Sequence, residues 1–177
     1  VPPDIPPADA TMLTTWRETL SYSNRLGVKP GADVLVIGTG GNGLSFANHA
    51  ANLGAARVAV VGSAARQPVA QRVGATDFFD YRGDGWQAAL KDAFPRGFDF
   101  IIDAVGKAGS LDEVLPCIRT GGVVGIYGID DYHSYRINPD RAPGTFTFAK
   151  YGYDEAETHQ QVIDFVRLGK LDAGNWL

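Results

Sequence analysis

The chain has 177 residues, enough for one domain with a full core, and 45% hydrophobic against 20% charged residues is the balance of an ordinary water-soluble globular protein. Its net charge of −4 offers no basic face for DNA or RNA, so no nucleic-acid partner is expected. No apolar run nears the ~20 residues that span a bilayer, and the single cysteine, Cys117, excludes an internal disulfide; both fit a cytoplasmic protein without a membrane partner.

The proline-rich start, "VPPDIPPADA", reads as an extended lead-in over residues 1–10, because proline fixes φ and removes a donor. It has neither the basic residue nor the apolar core of a signal peptide. Met12, Leu13, Trp16, Leu20 and Leu26 then recur at rough helical spacing, with Gly27 as cap and Lys29-Pro30-Gly31 as a turn. "DVLVI" at 33–37 is a continuous apolar strand, as in a parallel sheet covered on both faces. A helix over 43–53 stops at Gly54, a strand covers 57–61, and a short helix over 66–73 stops at Gly74. "DFFDY" at 77–81 is the third strand, "GWQAALKDAF" a helix broken by Pro95, and 98–105 the fourth strand. "SLDEVLPCIR" is a helix entered through Ser110, with Asp112 and Glu113 suiting the dipole of its first turn. "GVVGIYGI" is the fifth strand, "DDYHSYRINPDRAPG" a loop, and "TFTFAKYGY" the candidate sixth strand. The last helix starts near Asp154, buries Val162, Phe165, Val166 and Leu168, and stops at Gly169.

Strands alternating with helices through short connections predict an α/β fold: a Rossmann-type doubly wound, mostly parallel sheet of about six strands with helices on both faces, in a single domain over 1–177.

Residues 38–43 spell Gly-Thr-Gly-Gly-Asn-Gly, a G-x-G-x-x-G that follows a predicted strand and opens a predicted helix. Gly38 permits a tight turn, Gly40 lets the backbone approach a pyrophosphate, and Gly43 lets helix lie close on strand. The amides of Gly41 and Asn42, at the positive end of the helix, would hold the phosphates. Such sites usually place a carboxylate after the second strand, where it accepts from both ribose hydroxyls. Here that strand closes with Gly62 and Ser63, and no acid follows until Asp77. A carboxylate would repel a 2′-phosphate. Gly62 removes the charge and makes room, Ser63 offers a hydroxyl and an amide, and Arg66 can reach back with a guanidinium. NADP is therefore the expected cofactor, with NAD as the alternative.

The run "LGVKPGADVLVIGTGGNGLSFANHAANLGAARVAVVG", followed by "RVGATDFFDY", "FDFIIDAVG", "IRTGGVVGIYG" and "VIDFVRLGKL", resembles the cofactor domain of the medium-chain dehydrogenases/reductases, the zinc-type alcohol dehydrogenase superfamily, over roughly residues 10–171. Within it, "VVGS" and "GATDFFDY" most resemble the NADP-dependent secondary alcohol dehydrogenases. Gly62, Ser63 and Tyr81 match their 2′-phosphate pattern, whereas Ala64 stands where they carry arginine and Arg66 would substitute from the next turn. The resemblance also implies that Ala104 and Val105 flank the adenosine or ribose, and that Tyr127, Gly128 and Ile129 lie near the nicotinamide. It implies an oxidoreductase interconverting alcohols and carbonyl compounds, or reducing enones or quinones, and leaves a homodimer open.

Members of that superfamily are about twice this length. The β-rich catalytic domain that supplies most zinc ligands has no counterpart in this sequence, so the chain is expected to bind a dinucleotide without turning over alcohols. Zinc-using members carry a further ligand on the helix before the first strand. Thr14 and Thr15 stand there, with Glu18 one turn on, so no metal is expected on this chain and zinc in the parent enzyme is left open. No Cys-x-x-Cys, Ser-His-Asp set or carboxylate pair offers a catalytic residue. His49 is expected to be a packed or half-exposed helix residue rather than a catalyst, His133 and His159 solvated, and Cys117 a small buried hydrophobe. The alternative function is a non-enzymatic dinucleotide-binding or sensor module; a methyltransferase is disfavoured by the same missing acid.

Overall fold

The computed structural model describes residues 1–131 and 133–176; Tyr132, in the expected loop, and Leu177, in the expected domain, lie outside the described residues. Strand β1 (Asp33–Ile37) is fully buried, and its side chains alternate between two layers. Val34 and Val36 face a cluster with helix α2 (Gly41–Asn52) and helix α3 (Gln67–Arg72), while Leu35 and Ile37 face helix α4 (Trp86–Ala93) and helix α5 (Ser110–Val114). This two-sided burial explains why the strand is apolar throughout. With β2 (Arg57–Gly62), β3 (Asp77–Asp80), β4 (Phe98–Asp103), β5 (Ile118–Ile126) and β6 (Thr147–Ala149) it forms one six-stranded sheet in the order β3-β2-β1-β4-β5-β6. Every pairing is parallel. The expected doubly wound fold is the observed one.

A third apolar cluster joins helix α1 (Pro7–Leu26) to helix α6 (Glu155–Arg167) through Leu13, Trp16, Leu20, Val162, Ile163 and Val166. The Tyr22 hydroxyl donates to Ile126 O at 2.8 Å and ties α1 to the end of β5.

Several boundaries differ from expectation. Only residues 1–6 precede α1: Pro7 occupies its first turn, where a missing N–H is harmless, so the lead-in does not run to residue 10. Helix α5 ends at Val114, because Pro116 forces the 3₁₀ turn Leu115–Cys117 and Ile118 already belongs to β5. Gly109 rather than Ser110 is its N-cap. Strand β4 ends at Asp103, two residues early, and β6 is only three residues long. Asp154 caps α6 by accepting from Ala156 N at 2.9 Å, but Leu168 lies beyond the last helical turn and is 68% exposed, with Ile163 buried instead. Cys117 is buried, which pushes its thiol pKa up. His159 is half-buried, with Nδ1 3.5 Å from the Arg17 guanidinium, rather than solvated.

His49 is wholly buried on α2. Its Nε2 meets Thr19 Oγ1 at 3.1 Å, Nδ1 has no hydrogen-bond partner among the described residues, and burial pushes its pKa down to about 3. The folded state therefore keeps the imidazole neutral, while the unfolded chain takes up a proton below about pH 6.5. Stability from this residue is complete above pH 6.5 and is lost as pH falls toward 3, a swing on the order of 5 kcal/mol in full. His49→Gln, which cannot titrate, should flatten the fall of melting temperature between pH 6.5 and pH 4. An unchanged slope would refute this account.

Candidate functional site

Strands β1 and β4 are neighbours, but the chain leaves β1 toward the α2 layer and β4 toward the α5 layer. The connections diverge and leave a crevice at the C-terminal ends of the strands, where ligands of open α/β sheets bind. Three adjoining hollows fill it. The first, about 550 Å³, is lined by Gly38, Thr39, Gly62, Ser63, Tyr81 and Lys107 among others. The second, about 240 Å³, lies over Gly38, Gly40, Gly41, Asn42 and Gly43 and touches Ala104, Val105 and Asp130. The third, about 470 Å³, is bounded by Asn42, Ala104, Val105, Tyr127, Gly128 and Ile129, with Lys150, Tyr151 and Tyr153 on its far side. Val105 borders all three, so they form one channel. Every sequence-predicted site residue except Arg66 lines it.

The four glycines of the turn have different reasons. Gly38 alone has positive φ, +112°, and a Cβ there would also meet Val105 Cγ2 at 2.8 Å. A Cβ on Gly43 would stand 2.2 Å from Gly38 O, so this glycine lets α2 rest on the turn. Gly40 has φ −72° and Gly41 begins the helix; a Cβ on either meets nothing within 4 Å. Neither conformation nor packing within the chain calls for glycine at 40 and 41. Helix α2 has no side-chain N-cap and no acid in its first turn, and its first helical bond is Leu44 N to Gly40 O. The amides of Gly41, Asn42 and Gly43 therefore reach the second hollow as unmatched donors at a positive helix end, an arrangement suited to an anion.

At the end of β2 the structure corrects one expectation. Gly62 does not leave room: a Cβ there would stand 2.1 Å from Thr39 Cγ2 and 2.8 Å from Oγ1. The vacated space is filled by Thr39, whose Oγ1 accepts from Ser63 N at 3.4 Å. Arg66 sits in the 3₁₀ turn Ala64–Arg66, its amide donating to Ser63 O at 2.8 Å, and its side chain does not line the channel. Tyr81 does line it and is 46% exposed, with the Arg82 guanidinium 5.2 Å from its ring centroid.

At the end of β4, Asp103 is completely buried. Its Oδ1 accepts from the amides of Val105 (3.0 Å) and Gly106 (2.8 Å), and its Oδ2 from Ser110 Oγ (3.2 Å) and Tyr135 Oη (3.0 Å). The carboxylate thus holds the 104–110 segment that borders all three hollows. Burial and the Asp103 charge push the Tyr135 phenol up, so it stays protonated as a donor. Gly106 and Gly128 touch back to back: a Cβ on Gly128 would meet Val105 C at 2.0 Å, which brings the two strand ends together.

Tyr127 donates to Glu18 Oε2 at 3.0 Å, and burial with the Glu18 charge pushes its phenol up. Glu18, the nearest acid to the position of a zinc ligand on α1, is already engaged, and Thr14 and Thr15 are poor ligands. Among the described residues no group of three or more His, Cys, Asp or Glu side chains could hold a metal. These side chains do not fit a zinc ion. The glycine turn, by contrast, fits a dinucleotide. Thr39, Asp103, Lys107, Tyr151 and Tyr153 were not singled out by sequence. Thr39 lies inside the motif itself, and Asp103 is an acid closing an apolar strand, a pattern that could have marked it.

Residues 38–150 match the family model described as zinc-binding dehydrogenase. Geraniol dehydrogenase of Castellaniella defragrans is 35% identical over 108 residues, 60% of this chain and 29% of that protein. The NADP-dependent isopropanol dehydrogenase of Entamoeba histolytica is 34% identical over 128 residues, 71% of this chain and 35% of that protein. The solved alcohol dehydrogenase TADH from Thermus sp. ATN1 superposes with a TM-score of 0.81 at 22% identity, over 98% of this chain and 51% of that one. The chain thus spans about a third of the curated relatives it matches and half of the solved structure.

Proposed function

This chain belongs to the zinc-binding dehydrogenase family, and from that premise we propose that it is the cofactor-binding domain of an oxidoreductase interconverting alcohols and carbonyl compounds, with NADP as its preferred cofactor. The observation that carries the reading is the unfilled space over Gly40 and Gly41 beneath the donor-rich start of α2. In this reading the amides of Gly41, Asn42 and Gly43 hold the pyrophosphate. Gly62, Ser63 and Tyr81 border the adenosine ribose, and Tyr127, Gly128 and Ile129 border the nicotinamide, with Ala104 and Val105 between. When bound, the nicotinamide supplies the hydride chemistry, and the protein positions it. The alcohol and carbonyl substrates are those suggested by the relatives' names.

Two features support NADP over NAD. No carboxylate stands at the end of β2 itself, and two cationic side chains are close: Lys107 lines the first hollow, where Glu113 of α5 also lies, and Arg66 is one short turn away. The name of the Entamoeba relative agrees. Titration of the chain with NADPH and NADH, followed by nicotinamide fluorescence, tests the reading. NADPH should bind about ten- to hundredfold more tightly, the worth of one or two charge-assisted hydrogen bonds, and added salt should narrow the gap. Arg66→Ala should weaken NADPH about threefold to tenfold and leave NADH untouched, if the flexible side chain swings onto the phosphate. Equal affinity for the two cofactors would refute the NADP preference, and binding of neither would refute the cofactor domain.

A further inference from the structure

We propose that Thr39, inside the glycine turn, is a specificity-determining residue that takes the place of the missing acid at the end of β2. The inference rests on the dinucleotide reading above and assigns its ribose selectivity to a pair of positions, 39 and 62, rather than to 62 alone.

Thr39 and position 62 compete for one space. A Cβ built on Gly62 would lie 2.1 Å from Thr39 Cγ2, 2.8 Å from Oγ1 and 3.0 Å from Cβ. A side chain at 62 must therefore displace that of Thr39. Thr39 is flanked by Gly38, fixed at φ +112°, and by Gly40 at the head of α2, so its backbone has little freedom to withdraw. Its branched Cβ also restricts χ1. Positions 39 and 62 are therefore coupled: a branched residue in the turn requires glycine at the strand end, and an acid at the strand end requires a small residue in the turn.

Thr39 is half-buried, lines the first hollow beside Ser63 and Tyr81, and accepts from Ser63 N at 3.4 Å. Among the described residues its hydroxyl hydrogen has no acceptor. A hydroxyl carries one donor and two acceptor sites, so with an acceptor site occupied by Ser63 it turns its hydrogen toward the hollow. A carboxylate at this point would offer acceptors only, matched to two ribose hydroxyls. Thr39 offers a donor, matched to a phosphate ester oxygen. The same side chain thus excludes the acid and supplies the group that prefers the phosphorylated ribose.

The test is a double-mutant cycle on the 177-residue chain, read by melting temperature and by NADPH and NADH titration. Gly62→Asp alone should lower the melting temperature and weaken both cofactors, because the carboxylate cannot be seated. Thr39→Ala/Gly62→Asp should recover most of that melting temperature and shift the NADPH:NADH affinity ratio toward NADH by about a hundredfold relative to wild type, the sum of a lost donor contact and a gained carboxylate–phosphate repulsion. Thr39→Ala alone should weaken NADPH about fivefold and NADH by less than twofold, and Thr39→Ser, which keeps the hydroxyl, should restore the NADPH affinity. The proposal is overturned if Gly62→Asp alone melts like wild type and itself switches to NADH, or if Thr39→Ala weakens both cofactors equally. Wild-type chain that binds neither dinucleotide overturns the cofactor reading and the ribose role with it; the steric coupling then stands or falls on the melting temperatures alone.

Discussion

Gly40→Val should abolish dinucleotide binding and leave the protein folded, whereas Gly43→Ala should unfold it at a lower temperature. The two glycines lie three residues apart in one turn and are glycine for opposite reasons. At Gly40 the backbone is ordinary, φ −72°, and an added Cβ meets nothing within 4 Å. A valine there costs only the weak N-cap preference of glycine, within about 1 kcal/mol and therefore about 4 °C. Its branches would occupy the space above the α2 amides, so affinity for NADPH and NADH should fall at least a hundredfold, the loss of two or more phosphate hydrogen bonds. At Gly43 the added Cβ would lie 2.2 Å from Gly38 O and 2.7 Å from Gly38 C, both backbone atoms. Overpacking against backbone costs roughly 3 kcal/mol or more, about 6–12 °C in melting temperature. Calorimetry and cofactor titration on both variants separate the cases. A Gly40→Val protein that melts like wild type and still binds cofactor at wild-type affinity would show that the turn holds no phosphate.

Asp103→Ala should be the most destabilising single change at the site. The carboxylate is completely buried and accepts from two amides and two hydroxyls. Removing it leaves the amides of Val105 and Gly106 without acceptors and opens a cavity, a loss of about 3–5 kcal/mol, or roughly 6–20 °C in melting temperature. The 104–110 segment would lose its anchor, so both cofactors should weaken together, by about tenfold or more. This distinguishes Asp103, which positions a loop, from Thr39, which is expected to act on one cofactor. Asp103→Asn keeps Oδ1 for the two amides and presents an amide to Ser110 and Tyr135, whose hydroxyls can turn to accept; it should recover at least half of the lost stability. A melting temperature of Asp103→Ala within 2 °C of wild type would show that the network holds nothing.

The amino-acid sequence by itself determined the fold class and the place of the phosphate turn. Periodicity carries that information directly: β1 is apolar on every residue because both sheet faces are covered, and the break from strand to glycine turn to helix is local chemistry. The family resemblance, borne out by the match over 38–150, rests on the same runs. Local signals also placed His49 as a packed or half-exposed helix residue, and the structure decides for the packed one by burying it completely. What sequence could not supply is any relation between residues distant along the chain. That Thr39 fills the space beside Gly62 depends on β1 and β2 lying in register, Ile37 opposite Val61. That Asp103 gathers Ser110 and Tyr135 depends on a long loop returning across the end of β4. That Glu18 meets Tyr127 depends on α1 crossing the end of β5. Glycine at the end of β2 therefore read as empty space, and only the tertiary structure decided that it is occupied: a missing side chain in sequence is a vacancy in space only if no neighbour, brought there by strand pairing, fills it.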